Sequence, residues 1–222
     1  MKKNLQNALL LAMGLMTTVT FAQDWGVDSR TRIDMSGDND KMVTNQRATL
    51  GATWGGSDWG IHMSSDVNYM MGSRAMGDDN LSMEIYEAYA STDVMGYANV
   101  TAGRQALNYG SGALMSSNDW GTNRTTWDGF KIGLDLDMAD VTIGYASRNN
   151  DNGADSLDNG NMYLNAGGEF SGWNVNLVYM TTTTDGESGE NAATGIDISG
   201  EVMGAGISAS MNSDFDGDEM RV

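Results

Sequence analysis

The segment HMSSD holds the only histidine of the chain, His62, with Ser64 two residues on and Asp66 two beyond that. These are the residue types of a nucleophilic hydrolase, in which an acid orients a histidine that takes the proton of a hydroxyl. Their spacing argues against that chemistry. Ile61, Met63 and Val67 alternate with them, so all three polar residues fall on one face of a strand. Same-face neighbours there stand about 7 Å apart along the backbone, whereas a nucleophile and its base must lie within hydrogen-bond reach. The expectation is a polar-face histidine and no catalytic residue.

Asp214, Asp216 and Asp218 in DFDGDE imitate the opening of a calcium loop, but the glycine falls at Gly217 instead of after the third carboxylate. The run DNGADSLDNG at 151–160 could hold calcium loosely through carbonyls and carboxylates, or it is a solvated loop. The eighteen methionines show no ligand-like spacing, and Met63, Met71 and Met138 fall on apolar faces, where an adaptable thioether packs well. Neither a metal site nor a cofactor is expected.

The cations are more informative because they are few. Twelve Lys and Arg stand against thirty Asp and Glu, a formal charge of −18. That balance argues against nucleic acid as a partner, since binding phosphates needs clustered cations. Arg30 and Arg32 lie beside Asp24, Asp28 and Asp34, Arg47 follows, and Arg104, Arg124, Asp128 and Lys131 cluster around GRQALNYGSGALMSSNDW. A guanidinium is always charged and offers a planar fork that suits carboxylates and stacks on rings. Projecting into a water-filled passage, such groups pair with carboxylates, set up a transverse field and select solutes by charge and diameter. Structural ion pairing is the plainer alternative.

The elements that must carry these residues are strands. Trp59, Ile61, Met63, Ser65, Val67, Tyr69 and Met71 alternate with polar residues, as do Phe130, Ile132, Leu134, Leu136 and Met138, a period of two. Turn-forming Gly, Asn and Asp clusters separate eleven expected strands: 24–36, 41–54, 58–71, 81–94, 97–109, 125–138, 140–149, 161–170, 173–184, 196–204 and 205–213. There is no Pro to interrupt a ladder and no Cys to staple one. The opening MKKNLQNALLLAMGLMTTVTFAQ has the basic, apolar and small-residue order of a secretory signal peptide, which predicts a leader over 1–22 and a barrel domain over 23–222.

Strands of ten or more residues match the ~9–11 that a tilted strand needs to cross a bilayer. Trp25, Trp54, Trp59, Tyr69, Tyr109, Trp173 and Tyr179 sit near strand ends, as an interfacial girdle requires. The expected fold is therefore all-β, an antiparallel transmembrane β-barrel with about 10–12 strands in this chain. Eleven is odd where bacterial barrels close on even numbers, so the chain reads as part of a larger barrel or as a small one with one strand uncounted. The competing fold is a non-transporting barrel or secreted β-sandwich that binds glycans or divalent cations through acidic loops.

IYEAYA at 85–90, GRQALNY at 103–109, NDW at 118–120 and RTTWDGF at 124–130 together resemble the alginate-export family of outer-membrane porins, whose members carry a YxAY strand, GRQxLxYG, a loop ending in DW and an RT…DG segment. The resemblance covers about a fifth of the chain. It implies an outer-membrane location in a Gram-negative envelope and passive diffusion of small polar or anionic, saccharide-derived solutes through an arginine-lined lumen. On this chain it points first to Arg104 and Arg124, then to Asp128 and Lys131. Ser111 and Ala113 stand where the family often places an acid and an arginine, so one expected cation is missing. The partners implied are membrane lipid and the solute; oligomeric state is not readable. Parity does not fix which way Arg104 points, but a lipid-facing charge costs ~2–4 kcal/mol at the midplane, which predicts an inward arginine, with a bulge at Gly103 to allow it. The 111–118 loop either folds into the lumen or lies at the rim.

Overall fold

A computed structural model describes residues 22–35, 42–72, 81–121, 123–148, 160–184 and 187–220. The expected leader, apart from Ala22, and most of the 151–160 run lie outside the described residues.

Among the described residues twelve strands follow one another: β1 Ala22–Asp34, β2 Val43–Gly55, β3 Trp59–Met70, β4 Leu81–Val94, β5 Ala98–Gln105, β6 Trp127–Leu136, β7 Ala139–Arg148, β8 Gly160–Phe170, β9 Trp173–Thr184, β10 Glu187–Val202, β11 Ala205–Ser213 and the two-residue β12 Glu219–Met220. They form one antiparallel sheet in which each strand pairs with the next, and no helix occurs among the described residues. β1 and β12 do not pair with each other, so the sheet is open.

The eleven expected strands are all present. Two differ notably in extent. β5 stops at Gln105 because the chain then leaves the sheet, and β10 starts nine residues early at Glu187. Tight connections lie at one end of the sheet. β8–β9 and β10–β11 turn through Ser171–Gly172 and Met203–Gly204, both residues of each pair having positive φ, the twist that matches flanking strands. The longest connection, 106–126, lies at the other end.

Register divides the sheet into two faces. Asp24, Asp28 and Arg30 on β1 pair with Thr53, Thr49 and Arg47 on β2; these in turn meet His62, Asp66 and Asn68 on β3. This inner face carries the polar residues. The outer face carries the apolar alternates and leaves them uncovered: Ile132 is 40% exposed, Leu136 52% and the turn residue Met138 73%. No second sheet stacks on that face, so the dry interior of a sandwich is absent among the described residues. β4 contains one irregularity. Ser64 pairs with Glu87 and Ser65 with Ile85, so Tyr86 is an extra residue, a bulge that re-aims side chains.

The buried apolar cluster lies between the inner face and the 106–126 connection. Leu107 and Met115 from that connection pack with Trp127, Ala146, Tyr163, Met180 and Ala193 from β6 to β10. Burying each such side chain contributes about 1.5–3 kcal/mol, which is what draws the connection onto the wall.

Candidate functional site

The 106–126 loop organises the inner face. It leaves β5 with the Ala106 amide donating to the Glu87 carboxylate at 3.0 Å. Tyr109 and Gly112 then close a compact turn through Tyr109 N–H to Met115 O and Gly112 N–H to Tyr109 O. Gly110 lies at φ +59°, and a Cβ there would run into the Asp197 carboxylate of β10, so only glycine lets the loop approach this wall. Ser210 of β11 donates to Ser111 at 3.1 Å. The 111–118 segment, for which lumen and rim were equal expectations, thus packs on the inner face.

The second half of the loop crosses to the opposite strands. Asn118, at φ +50°, opens a turn closed by Gly121 N–H to Asn118 O. That turn presents three carbonyl oxygens in one direction. Arg30 donates to those of Asp119, Trp120 and Gly121 at 2.5, 2.5 and 3.1 Å, and Arg47 donates to Asp119 and Gly121 at 3.3 and 3.4 Å. Arg30 and Arg47 are cross-strand partners, a repulsive pair in isolation; converging acceptors offset the repulsion. The Trp120 ring lies 5.2 Å from the Arg30 guanidinium.

Arg124 anchors the return to β6. Its Nε and Nη2 form a fork onto Asp66, at 2.8 Å to Oδ2 and 2.5 Å to Oδ1. Nη2 also donates to Thr49 at 3.0 Å, Thr49 donates to Asp66 at 2.6 Å, and the Tyr86 ring packs on the guanidinium with 3.2 Å between Cζ and the ring centre. Asp66 is wholly buried. Tyr86 donates to Asp119 at 3.4 Å, and Asp119 stands 3.8 Å from Arg124 Nη1. Burial alone would lower the Arg124 pKa, but the hydrogen bonds to Asp66 and the nearby Tyr86 and Asp119 outweigh it and raise it above the ordinary value.

Four of the seven expected lining residues therefore meet on one loop or beside it. Arg30, Arg47 and Arg124 clasp it, and Arg32, exposed one inner-face position from Arg30, borders a 610 Å³ cavity with Asn118 and Trp120. Lys131 is on the inner face, opposite Thr101. Arg104 and Asp128 are not. Arg104 pairs with Ala88 and with Asp128, and shares the outer face with Ala102 and Phe130. The expected bulge at Gly103 does not occur: β5 keeps unbroken register with both neighbours. The physical reason is mutual neutralisation. Arg104 forks onto Asp128 at 2.8 and 2.9 Å and donates to the Ile85 carbonyl at 3.3 Å, so the energy argument, which took the charge to stand alone, does not apply.

The histidine segment is not assembled for hydrolysis. His62 Nδ1 bonds Thr53 at 2.8 Å, its ring stacks on Tyr89, and Nε2 stands 3.6 Å from Glu87. Ser64 Oγ is buried without a hydrogen-bond partner, and Asp66 is committed to Arg124. The Asp214 carboxylate is likewise spent locally, accepting from the Asp216 and Asp218 amides. Among the described residues, no three carboxylates or histidines are placed to hold a metal.

Sequence reasoning missed Thr49, Asp66, Tyr86, Glu87 and Asp119 as partners in this network. IYEAYA carried a signal for two of them, but strict alternation would separate Tyr86 from Glu87; the bulge brings both to the inner face. No protein-family model matches the chain, and no curated protein is similar to it.

Proposed function

We propose that the chain forms a transmembrane β-barrel channel of the outer membrane, similar to alginate-export porins, through which small polar solutes, saccharides among them, diffuse without chemical change. One observation carries this reading. A single sheet leaves its apolar face uncovered along its length while its other face binds an inward loop through charged and polar side chains. A soluble protein does not leave so much contiguous apolar surface in water, and a bilayer accepts it only from a closed sheet, so closure is part of the proposal. In this reading the loop sets the diameter of the passage.

The arginine placement weakens one part of the expectation, an anion-selective lumen. Arg30, Arg47 and Arg124 hold the loop, and Arg104 is on the outer face, so most of the guanidinium charge is engaged.

The test is extraction and reconstitution of the full chain. Detergent is expected to be required for extraction, discrete conductance steps are expected in planar bilayers, and liposomes carrying the protein are expected to swell in small sugars. A chain that stays soluble without detergent and adds no conductance would overturn the proposal.

A further inference from the structure

We infer that the passage prefers cations to anions, and that the sign is set by carboxylates at the tight-turn end of the inner face. This deepens the channel reading above and rests on it.

Among the described residues the cations lie away from the tight turns, Arg148 included, since it pairs with Trp127 at the long-connection end of β7. Arg30, Arg47 and Arg124 face the loop at the long-connection end, Arg32 borders the same end, and Arg104 is neutralised on the outer face. Lys131 remains on the inner face of β6.

The carboxylates are arranged differently. Cross-strand pairing runs Asp135, Asp140, Gly167, Asn176, Asp197, Ser210 in one unbroken row from β6 to β11. The next row toward the turns runs Glu169, Asn174, Ser199, Ser208. Neither row holds a Lys or Arg; the intervening positions are amides, hydroxyls and glycine. Two separate cavities open onto these rows. One, of 650 Å³, is lined by Asp140, Glu169 and Asp197 together with Asn174 and Asn176; the other, of 410 Å³, by Asp93, Asp135 and Asp140. Among the described residues no cation lines either.

Asp197 supplies an independent observation. Its Oδ1 is closed off from solvent and has no hydrogen-bond partner, a costly state for an ionised carboxylate. A mobile cation lodged between it and the amides of Asn174 and Asn176 would relieve that state. Rings of Asp and Glu behind a constriction are the physical basis of cation selectivity.

The experiment uses the full chain in planar bilayers under a tenfold KCl gradient, reading the zero-current potential. The expected sign is that of K⁺ over Cl⁻, with a permeability ratio of about threefold to tenfold for a few carboxylates acting within a Debye length. The triple variant Asp140→Asn, Glu169→Gln, Asp197→Asn is expected to keep the conductance steps and lose most of that ratio. If the triple variant does not insert, Asp197→Asn alone is expected to lower the ratio measurably. Conductance steps that favour Cl⁻, or a ratio unmoved by these substitutions, would overturn the inference and leave the channel reading standing. Absence of any steps from the unmodified chain would remove the channel reading, and the selectivity with it.

Discussion

Replacing Asp66 with Asn tests whether the loop is held by a buried charge pair. Asp66 is fully buried, accepts both bonds of the Arg124 fork and a third from Thr49. An amide turned to keep Thr49 and Nη2 on its oxygen would point its NH2 at Arg124 Nε, donor against donor. Arg124 would keep the Tyr86 ring and the exposed Asp119 at 3.8 Å. Breaking a buried pair at one partner costs about 3–5 kcal/mol, and the ring retains about 0.5–2 kcal/mol, so a net loss of about 3 kcal/mol is expected. Arg124→Gln should lose as much, because it strands the buried carboxylate. The double variant removes both charges and should fall short of the summed losses by at least about 1.5 kcal/mol. Urea unfolding in detergent micelles followed by tryptophan fluorescence reads all three. Losses below about 0.5 kcal/mol for each single variant, or strictly additive losses, would refute a coupled buried pair.

Other substitutions probe the remaining contacts. Arg104→Ala should destabilise by about 1–2 kcal/mol by leaving Asp128 unpaired on the outer face, where a lone carboxylate costs less than a lone arginine, while leaving single-channel conductance unchanged; a conductance change would place the pair in the passage after all. Gly103→Val should prevent assembly, since φ is +128° and a Cβ would strike the Ala88 carbonyl; a normal yield of folded, heat-modifiable protein on gels would contradict the register. Arg30→Gln with Arg47→Gln should free the 118–121 turn, raising channel noise and opening the loop to protease, and an unchanged cleavage pattern would show that the carbonyl contacts do not hold it.

The strands and their faces were legible because a half-exposed sheet imposes a strict period of two, as in Trp59–Tyr69. The position of Arg104 was not. Around 100–105 small residues fill both alternates, so parity carried no contrast, and the energy argument assumed a solitary charge where Asp128 sits across the ladder. The Asp66–Arg124 pair was hidden for a different reason. Its members lie 58 residues apart, and nothing in alternation says that a loop returns to the second and third strands. Tyr86 was lost to a bulge, which shifts the pattern by one without altering composition.

The loop also bears on how the molecule assembles. Every strand pairs only with its sequence neighbours, so the hairpins can zip up in succession with short closures. The contacts of the 106–126 loop are the exceptions: Arg30 reaches carbonyls 89–91 residues away, and Ser210 reaches back 99 residues to Ser111. Contacts of that separation form slowly. The loop touches both flanks of the sheet, Arg30 on β1 and Ser210 on β11, so it ties together strands that the ladder alone holds ten places apart.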